Sequence, residues 1–323
     1  MPQAIRIHHH GGPEVLQWEP IEIGEPGADE VLIRHTAVGL NFLDVYERTG
    51  LYQATLPLTP GREAAGIVEK LGSAVRYLSP GDRVAYVSNT SGSYSEQRLV
   101  PAERVVRIPE GIDDRVAAAV LLKGLTAQML LRQVYRVRKN DFVLIHAAAG
   151  GVGSIALSWA KYLGARVLAI VGDESKADHA KALGADQVAL THDDWVTAAK
   201  TMSAQRGVHV VYDSVGKDTF LRSLDCLRSR GMMVTYGNSS GAVPPVAPLE
   251  LAKRGSLFLT RPTLFDYIRT RNALVRAVQE LFELVSRGVI NVHIGQTFPL
   301  KEAAQAHREL EARRTTGSTV LMP

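Results

Sequence analysis

One stretch constrains the fold of this chain more than any other: Asp141-Phe-Val-Leu-Ile-His-Ala-Ala-Ala-Gly-Gly-Val-Gly-Ser154, running on into Ile155-Ala-Leu-Ser-Trp-Ala-Lys-Tyr-Leu-Gly164. The apolar run Phe142–Ile145 predicts a buried strand, and Ala147–Gly153 a tight turn of small residues. After it, Ile155, Leu157, Ala160 and Leu163 fall near helical spacing. A strand, a glycine turn and a helix start aim backbone N–H groups and a positive dipole end at one point, which suits a pyrophosphate. Small residues are needed because a Cβ would hold the backbone off the phosphates. The spacing is Ala147-x-x-Gly150-x-x-Gly153 with Gly151 inserted, so alanine replaces the first glycine of the usual G-x-G-x-x-G. Alone, the pattern is weak, since glycine turns between strand and helix are common.

Its context is stronger. Arg166–Val171 is a second buried-strand candidate, followed by the polar turn Gly172–Ser175 and a helix ending at Leu183-Gly184. Gln187–Leu190, Val208–Asp213, Met232–Tyr236 and Ser256–Thr260 continue the alternation of strand and helix. Six strand candidates in βαβ order predict an α/β fold with a doubly wound, six-stranded parallel sheet. A ligand of such a sheet lies over the C-terminal strand ends, where Ser214, Asn238, Ser239, Thr260 and Arg261 fall.

With 323 residues the chain allows two domains, and 46% apolar with 22% charged residues is ordinary for a soluble protein. The net charge of +4 is spread along the chain, which argues against a nucleic-acid footprint. The single Cys226, within the helical pattern Phe220–Leu227, forbids an internal disulfide and fits a reducing compartment. Met1–Arg6 has no apolar signal core and no run approaches membrane-spanning length, so a cytoplasmic location is expected.

From Met1 to about Arg107 the texture is β-rich, with Gly/Pro/Asp turns and strand candidates such as Ala4–His8, Leu16–Glu19 and Arg83–Val87. His8, His9 and His10 would alternate faces of a strand and cannot converge on one metal. Asn41, Asp44 and Tyr46, at a loop-to-helix junction, offer an amide, a carboxylate and a phenol close together. The competing reading is that Asn41 caps a helix and the others are surface. Glu63, inside an otherwise apolar segment, reads as a buried, paired carboxylate with a structural role.

Gly61-Arg-Glu63-Ala-Ala-Gly66, Pro80-Gly-Asp-Arg-Val84 and Ala147-x-x-Gly-Gly-Val-Gly153, in this order, resemble the medium-chain dehydrogenase/reductase superfamily. Asn41-Phe-x-Asp44-x-Tyr46, Gly50-Leu-Tyr52, Leu121-x-Lys-Gly-Leu-Thr126, Tyr212-Asp-Ser-Val-Gly216 and Gly237-Asn-Ser-Ser-Gly241 narrow the resemblance to its zinc-free, zeta-crystallin-like quinone oxidoreductases, closest to the bacterial NADPH:quinone reductases. It spans the whole chain and ends with Arg313-x-Thr315-x-Gly317. It implies a GroES-like catalytic domain of residues 1–125 and 262–323 around a Rossmann domain of residues 126–261. It also implies reduction of a quinone by hydride or electron transfer from a nicotinamide in the interdomain cleft, with Asn41, Asp44, Tyr46 and Tyr52 lining that cleft. The rival acceptor is an enone or enal. A non-enzymatic RNA-binding or structural role is the alternative from a different class, and a homodimer paired across Ser256–Pro262 is expected.

Zinc members of the superfamily take a Cys, a His before Glu, and a second Cys or Glu. Here Arg62 precedes Glu63, Asn41 stands in the segment of the first Cys, and one distant cysteine cannot supply three ligands, so no metal is expected. The expected cofactor is NADPH, because the position of the acidic residue typical of NAD sites falls on Val171 or Gly172. By the resemblance, Gly172, Ser175 and Lys176 would form the 2′-phosphate pocket; Asp173 and Glu174 depart from it and would repel a phosphate unless turned to solvent. Thr191 departs too, where relatives carry a Tyr. The remaining cofactor contacts expected are Asn41, Tyr46, Thr126, Gly150, Gly151, Val152, Gly153, Ser214, Asn238, Ser239, Thr260, Arg261 and Arg313.

Overall fold

The computed structural model describes residues 1–323 and divides into two units. The first comprises Met1–Lys123, Thr270–Ser286 and Val292–Pro323; the second comprises Gly124–Arg269 and Arg287–Asn291. The boundaries thus lie two residues before the expected 125/126 and eight after 261/262, and a short piece near 290 joins the second unit.

The first unit opens with the antiparallel pair β1 (Gln3–Arg6) and β2 (Gln17–Pro20). There follow β3 (Glu30–Leu40), helix α1 (Phe42–Thr49), β4 (Glu63–Leu71), β5 (Arg83–Val87), β6 (Gln97–Pro101), β7 (Val105–Arg107) and helix α2 (Asp114–Gln128), which runs across the unit boundary. The second unit alternates strictly: β8 (Phe142–His146), α3 (Gly151–Tyr162), β9 (Arg166–Val171), α4 (Glu174–Ala182), β10 (Gln187–Leu190), α5 (Trp195–Met202), β11 (Val208–Asp213), α6 (Phe220–Asp225), β12 (Leu227–Thr235), α7 (Leu249–Lys253), β13 (Phe258–Thr260) and α8 (Leu264–Tyr267). The chain then returns to the first unit with α9 (Arg271–Ser286), β14 (Ile294–Pro299), α10 (Ala303–Glu311) and β15 (Ser318–Met322).

In the first unit the sheet order is β14-β15-β3-β4-β5-β7, with β6 also on β3. Apolar residues from the strands, among them Ile33, Val38, Leu40, Val68, Val84 and Tyr86, form one core with Leu300, Ala303, Ala306 and Leu321 from the C-terminal return. The last strand pairs antiparallel with the end of β3, Thr319 opposite Leu40, and so braces the turn into α1. Gly39 is needed there for close approach: a Cβ would lie 2.3 Å from Glu63 Oε1 and 2.4 Å from the Ala118 carbonyl.

The second unit's sheet has the order β10-β9-β8-β11-β12-β13, every pairing parallel. The α/β, doubly wound expectation therefore holds, with the strand order reversing between β8 and β11. Two local readings are corrected. The fifth strand starts at Leu227 rather than Met232, and the helix before it stops at Asp225, leaving Cys226 at its end. Cys226 is fully buried, and burial pushes its thiol up to about 12. No helix is long and apolar enough to cross a membrane.

Candidate functional site

In the second unit, strand β8 delivers the chain to the turn Ala147–Gly150, and α3 starts at Gly151 with Gly150 as its N-cap. Ala147, in place of the usual first glycine, adopts the left-handed region at φ 49°, a modest strain for a residue with a Cβ. Gly153 carries the packing constraint: a Cβ there would stand 2.2 Å from the Ala147 carbonyl oxygen and 2.8 Å from the Ala148 Cα. At Gly150 a Cβ would meet the Ala147 carbonyl oxygen at 3.2 Å, a tight contact but a milder one than at Gly153. The amides of Gly151, Val152 and Gly153 are in the first turn, where no carbonyl one turn back exists to accept from them. Together with the helix dipole they fit a pyrophosphate, and they sit next to the reversal in strand order.

Beyond β9, Gly172 is exposed and Asp173 caps α4. The Asp173 carboxylate accepts from Ser175 Oγ at 2.6 Å, from the Lys176 N–H at 3.1 Å and from Lys176 Nζ at 2.8 Å. Hydrogen bonds from Lys176 and Ser175 bring it down to about 2. Gly172, Ser175 and Lys176 thus lie close together at the start of α4, and Asp173, although exposed, binds the side chains of two of them.

At the far strand ends, Ser214 and Ser239 meet through an N–H to carbonyl bond of 3.3 Å. Arg261 donates to Thr235 Oγ1 at 3.1 Å and to the Gly237 carbonyl at 2.9 Å, and Asn238 packs its amide against the same guanidinium. Thr260, the last residue of β13, pairs with Val234. Thr126 lies on the second-unit part of α2. Arg313 belongs to the first unit, in a left-handed turn before β15.

In the first unit, Asn41 is the N-cap of α1, and the carboxylate of Asp44 accepts its N–H at 2.9 Å. The competing reading of Asp44 and Tyr46 as surface residues is overturned: Asp44 has no exposed surface and Tyr46 is 8% exposed. Tyr46 and Tyr52 pack ring on ring with centroids 5.2 Å apart, so the four expected cleft residues cluster around one short helix. Burial and the neighbouring Glu47 raise the Asp44 carboxyl to about 7, against the bonds from Asn41 and Tyr94 that lower it. Its Oδ1 has no partner.

Glu63 is fully buried and paired, as its setting in the sequence suggested. It accepts from Asn41 Nδ2 at 2.8 Å, from the Leu122 N–H at 2.6 Å and from Lys123 Nζ at 3.2 Å. Arg62, beside it, pairs with the buried carboxylate of Glu47. A guanidinium is never a metal ligand, since it has donors and no acceptor. No three His, Cys, Asp or Glu side chains converge to hold a metal ion.

Sequence reasoning missed one buried chain altogether. Arg48 holds Glu311 through two bonds of 2.8 Å and donates to His307 Nδ1 at 3.0 Å. Arginine can only donate, so His307 carries its proton on Nε2, 3.1 Å from Tyr94 Oη, which donates to Asp44 Oδ2 at 3.0 Å. Burial and Arg48 pull His307 down to about 3. The one available signal was His307 on the same helical face as Ala303 and Ala306; Arg48 and Tyr94 carry none that short-range pattern could separate from surface residues.

Comparison with known proteins matches residues 27–110 to the alcohol dehydrogenase GroES-like domain and residues 151–287 to the zinc-binding dehydrogenase family. A quinone oxidoreductase of Pseudomonas aeruginosa is 48% identical, and a 2-haloacrylate reductase of Burkholderia sp. 43%, each match covering 99–100% of both chains. The crystal structure of Escherichia coli quinone oxidoreductase complexed with NADPH matches with a TM-score of 0.97 at 47% identity, over 99% of this chain and 100% of that one.

Proposed function

Since this chain belongs to the quinone oxidoreductases of the medium-chain dehydrogenase/reductase superfamily, we propose that it is an NADPH:quinone oxidoreductase working without a metal. The observation that carries this reading is the full-length likeness to an enzyme crystallised with NADPH. NADPH, when bound, supplies the hydride or electrons.

The protein's part is to hold donor and acceptor in register and to exclude water. The α3 amides of Gly151, Val152 and Gly153 would hold the pyrophosphate. Gly172 makes room for a 2′-phosphate, and Ser175 and Lys176 would bind it. Ser214, Asn238, Ser239, Thr260, Arg261, Thr126 and Arg313 would complete the cofactor contacts. Asn41, Tyr46 and Tyr52 would position the nicotinamide or donate to the oxygen that gains charge. Asp44 would act with them by keeping Asn41 at the head of α1, the role its bond to the Asn41 N–H supports. A quinone is electrophilic without a Lewis acid, which suits a site in which Arg62 and Glu47 pair with one another.

The likeness to a 2-haloacrylate reductase favours a second reading, an acceptor reduced at a conjugated carbon–carbon double bond. Anaerobic stopped-flow with NADPH against 1,4-benzoquinone, phenanthrenequinone, a simple enone and 2-chloroacrylate separates the two. Fastest oxidation by a quinone supports the first; turnover only with the enone or haloacrylate would replace it. We further assign the protein to a reducing compartment, the cytoplasm, on the strength of its one buried free thiol. A homodimer across β13 is supported by Phe258 and Leu259, 56% and 40% exposed on that edge strand. Sedimentation at monomer mass would remove that assignment.

A further inference from the structure

The carboxylate of Asp173 occupies the donors that the proposed 2′-phosphate pocket would offer its ligand. Capping α4 needs a single bond, the one from the Lys176 N–H to Oδ1 at 3.1 Å. Asp173 makes two more, taking Ser175 Oγ at 2.6 Å and, through Oδ2, Lys176 Nζ at 2.8 Å. The Lys176 side chain is 18% exposed against 49% for Asp173, so the carboxylate lies on the solvent side of its ammonium partner. A Cβ on Gly172 would come no nearer than 4.0 Å to Lys176 Nζ, so a ligand can approach from there.

We propose that Asp173 is a specificity-determining residue: it fills the 2′-phosphate pocket from within and lowers the enzyme's discrimination for NADPH over NADH. This rests on the reading of Gly172, Ser175 and Lys176 as that pocket. A 2′-phosphate must take the Ser175 hydroxyl from the carboxylate, share the Lys176 ammonium with it, and then tolerate that anion a few ångströms away. The 2′-hydroxyl of NADH faces no such cost, because it donates its own hydrogen bond to the carboxylate. Asp173 stays ionised throughout the working pH range, held down to about 2 by Lys176 and Ser175.

The test is the pair Asp173→Asn and Asp173→Ser, both good helix caps, so that α4 keeps its start while the charge is lost. Dissociation constants for NADPH, NADH, adenosine 2′,5′-bisphosphate and adenosine 5′-monophosphate are measured by calorimetry, with no acceptor present. Both variants should bind NADPH and the bisphosphate about tenfold more tightly, the size of one partly screened like-charge contact, with NADH and the monophosphate unchanged or slightly weaker. A ratio of NADPH to NADH affinity within twofold of the parent protein would overturn the proposal. So would equal weakening of all four ligands, which would make Asp173 a helix cap alone. Lys176→Ala in the same assay keeps the two readings apart. If it spares NADPH affinity, the pocket itself is misassigned and the inference falls with it; if it weakens NADPH while the Asp173 variants change nothing, only the role of Asp173 fails.

Discussion

Removing the charge of Glu63 while keeping its shape, Glu63→Gln, should cost far more than a surface ion pair would. Glu63 is fully buried and Lys123 is 6% exposed, so the substitution strands a buried ammonium and turns an amide N–H₂ toward the Leu122 N–H, Lys123 or Asn41 donors. Breaking a buried pair from one side costs about 3–5 kcal/mol, because the remaining charge keeps its desolvation penalty. For a unit of this size that shifts the thermal midpoint by roughly 10 °C. Lys123→Met alone should cost less, about 1–3 kcal/mol, since Glu63 keeps two of its three donors. Combining the two removes both charges, so the double variant should recover at least about 2 kcal/mol relative to the sum of the singles. Urea unfolding of the parent, both singles and the double, followed by fluorescence and circular dichroism, measures the cycle. If Glu63→Gln costs under about 1 kcal/mol, or if the singles simply add, the pair is not an energetic unit and this reasoning is refuted.

Lys176→Ala should raise KM for NADPH by about 10–100-fold, the range for one charge-assisted bond to a phosphate, and leave KM for NADH nearly unchanged; steady-state kinetics with both cofactors checks it. Gly153→Ala should destabilise the second unit by several kcal/mol, because its Cβ would meet backbone at 2.2 Å. Gly150→Ala, with its nearest contact at 3.2 Å, should cost under about 1 kcal/mol yet weaken dinucleotide binding, which thermal shift with and without NADPH would separate. Acid should destabilise the protein. Burial lowers His35 to about 4 and His307 to about 3, so both fold neutral, and their contribution is present above pH 6.5 and lost as pH falls toward those values. From pH 7 to pH 5 each loses about 2 kcal/mol, while Asp44, raised to about 7, has the opposite sign and returns about 2. His146, also held neutral by burial, adds to the loss. Asp44→Asn should therefore increase whatever loss the parent shows between those pH values by about 2 kcal/mol, as read from urea unfolding at each; an unchanged pH slope would contradict it.

The architecture was legible in the chain because its signals are local. Runs such as Phe142–Ile145 and Arg166–Val171 alternate with helical spacing, and Gly150, Gly151 and Gly153 punctuate the turn where backbone must come close. The motifs around Asn41, Gly61 and Gly237 sufficed for the family for the same reason: each is a short segment whose residues act on their own neighbourhood. What the tertiary structure decided are the partners of buried charges. On α1 the residues Asp44, Glu47 and Arg48 all face inward, which periodicity would assign to a surface. They are tolerated because Tyr94, Arg62, Ser91, His307 and Glu311 arrive from distant segments to pair with them, leaving only Asp44 Oδ1 without a partner. Asp173 is the contrasting case: its donors, Ser175 and Lys176, lie only two and three residues along the chain, so the contact is local, but composition does not say which donor an anion takes at such short range, and only the geometry at the start of α4 does.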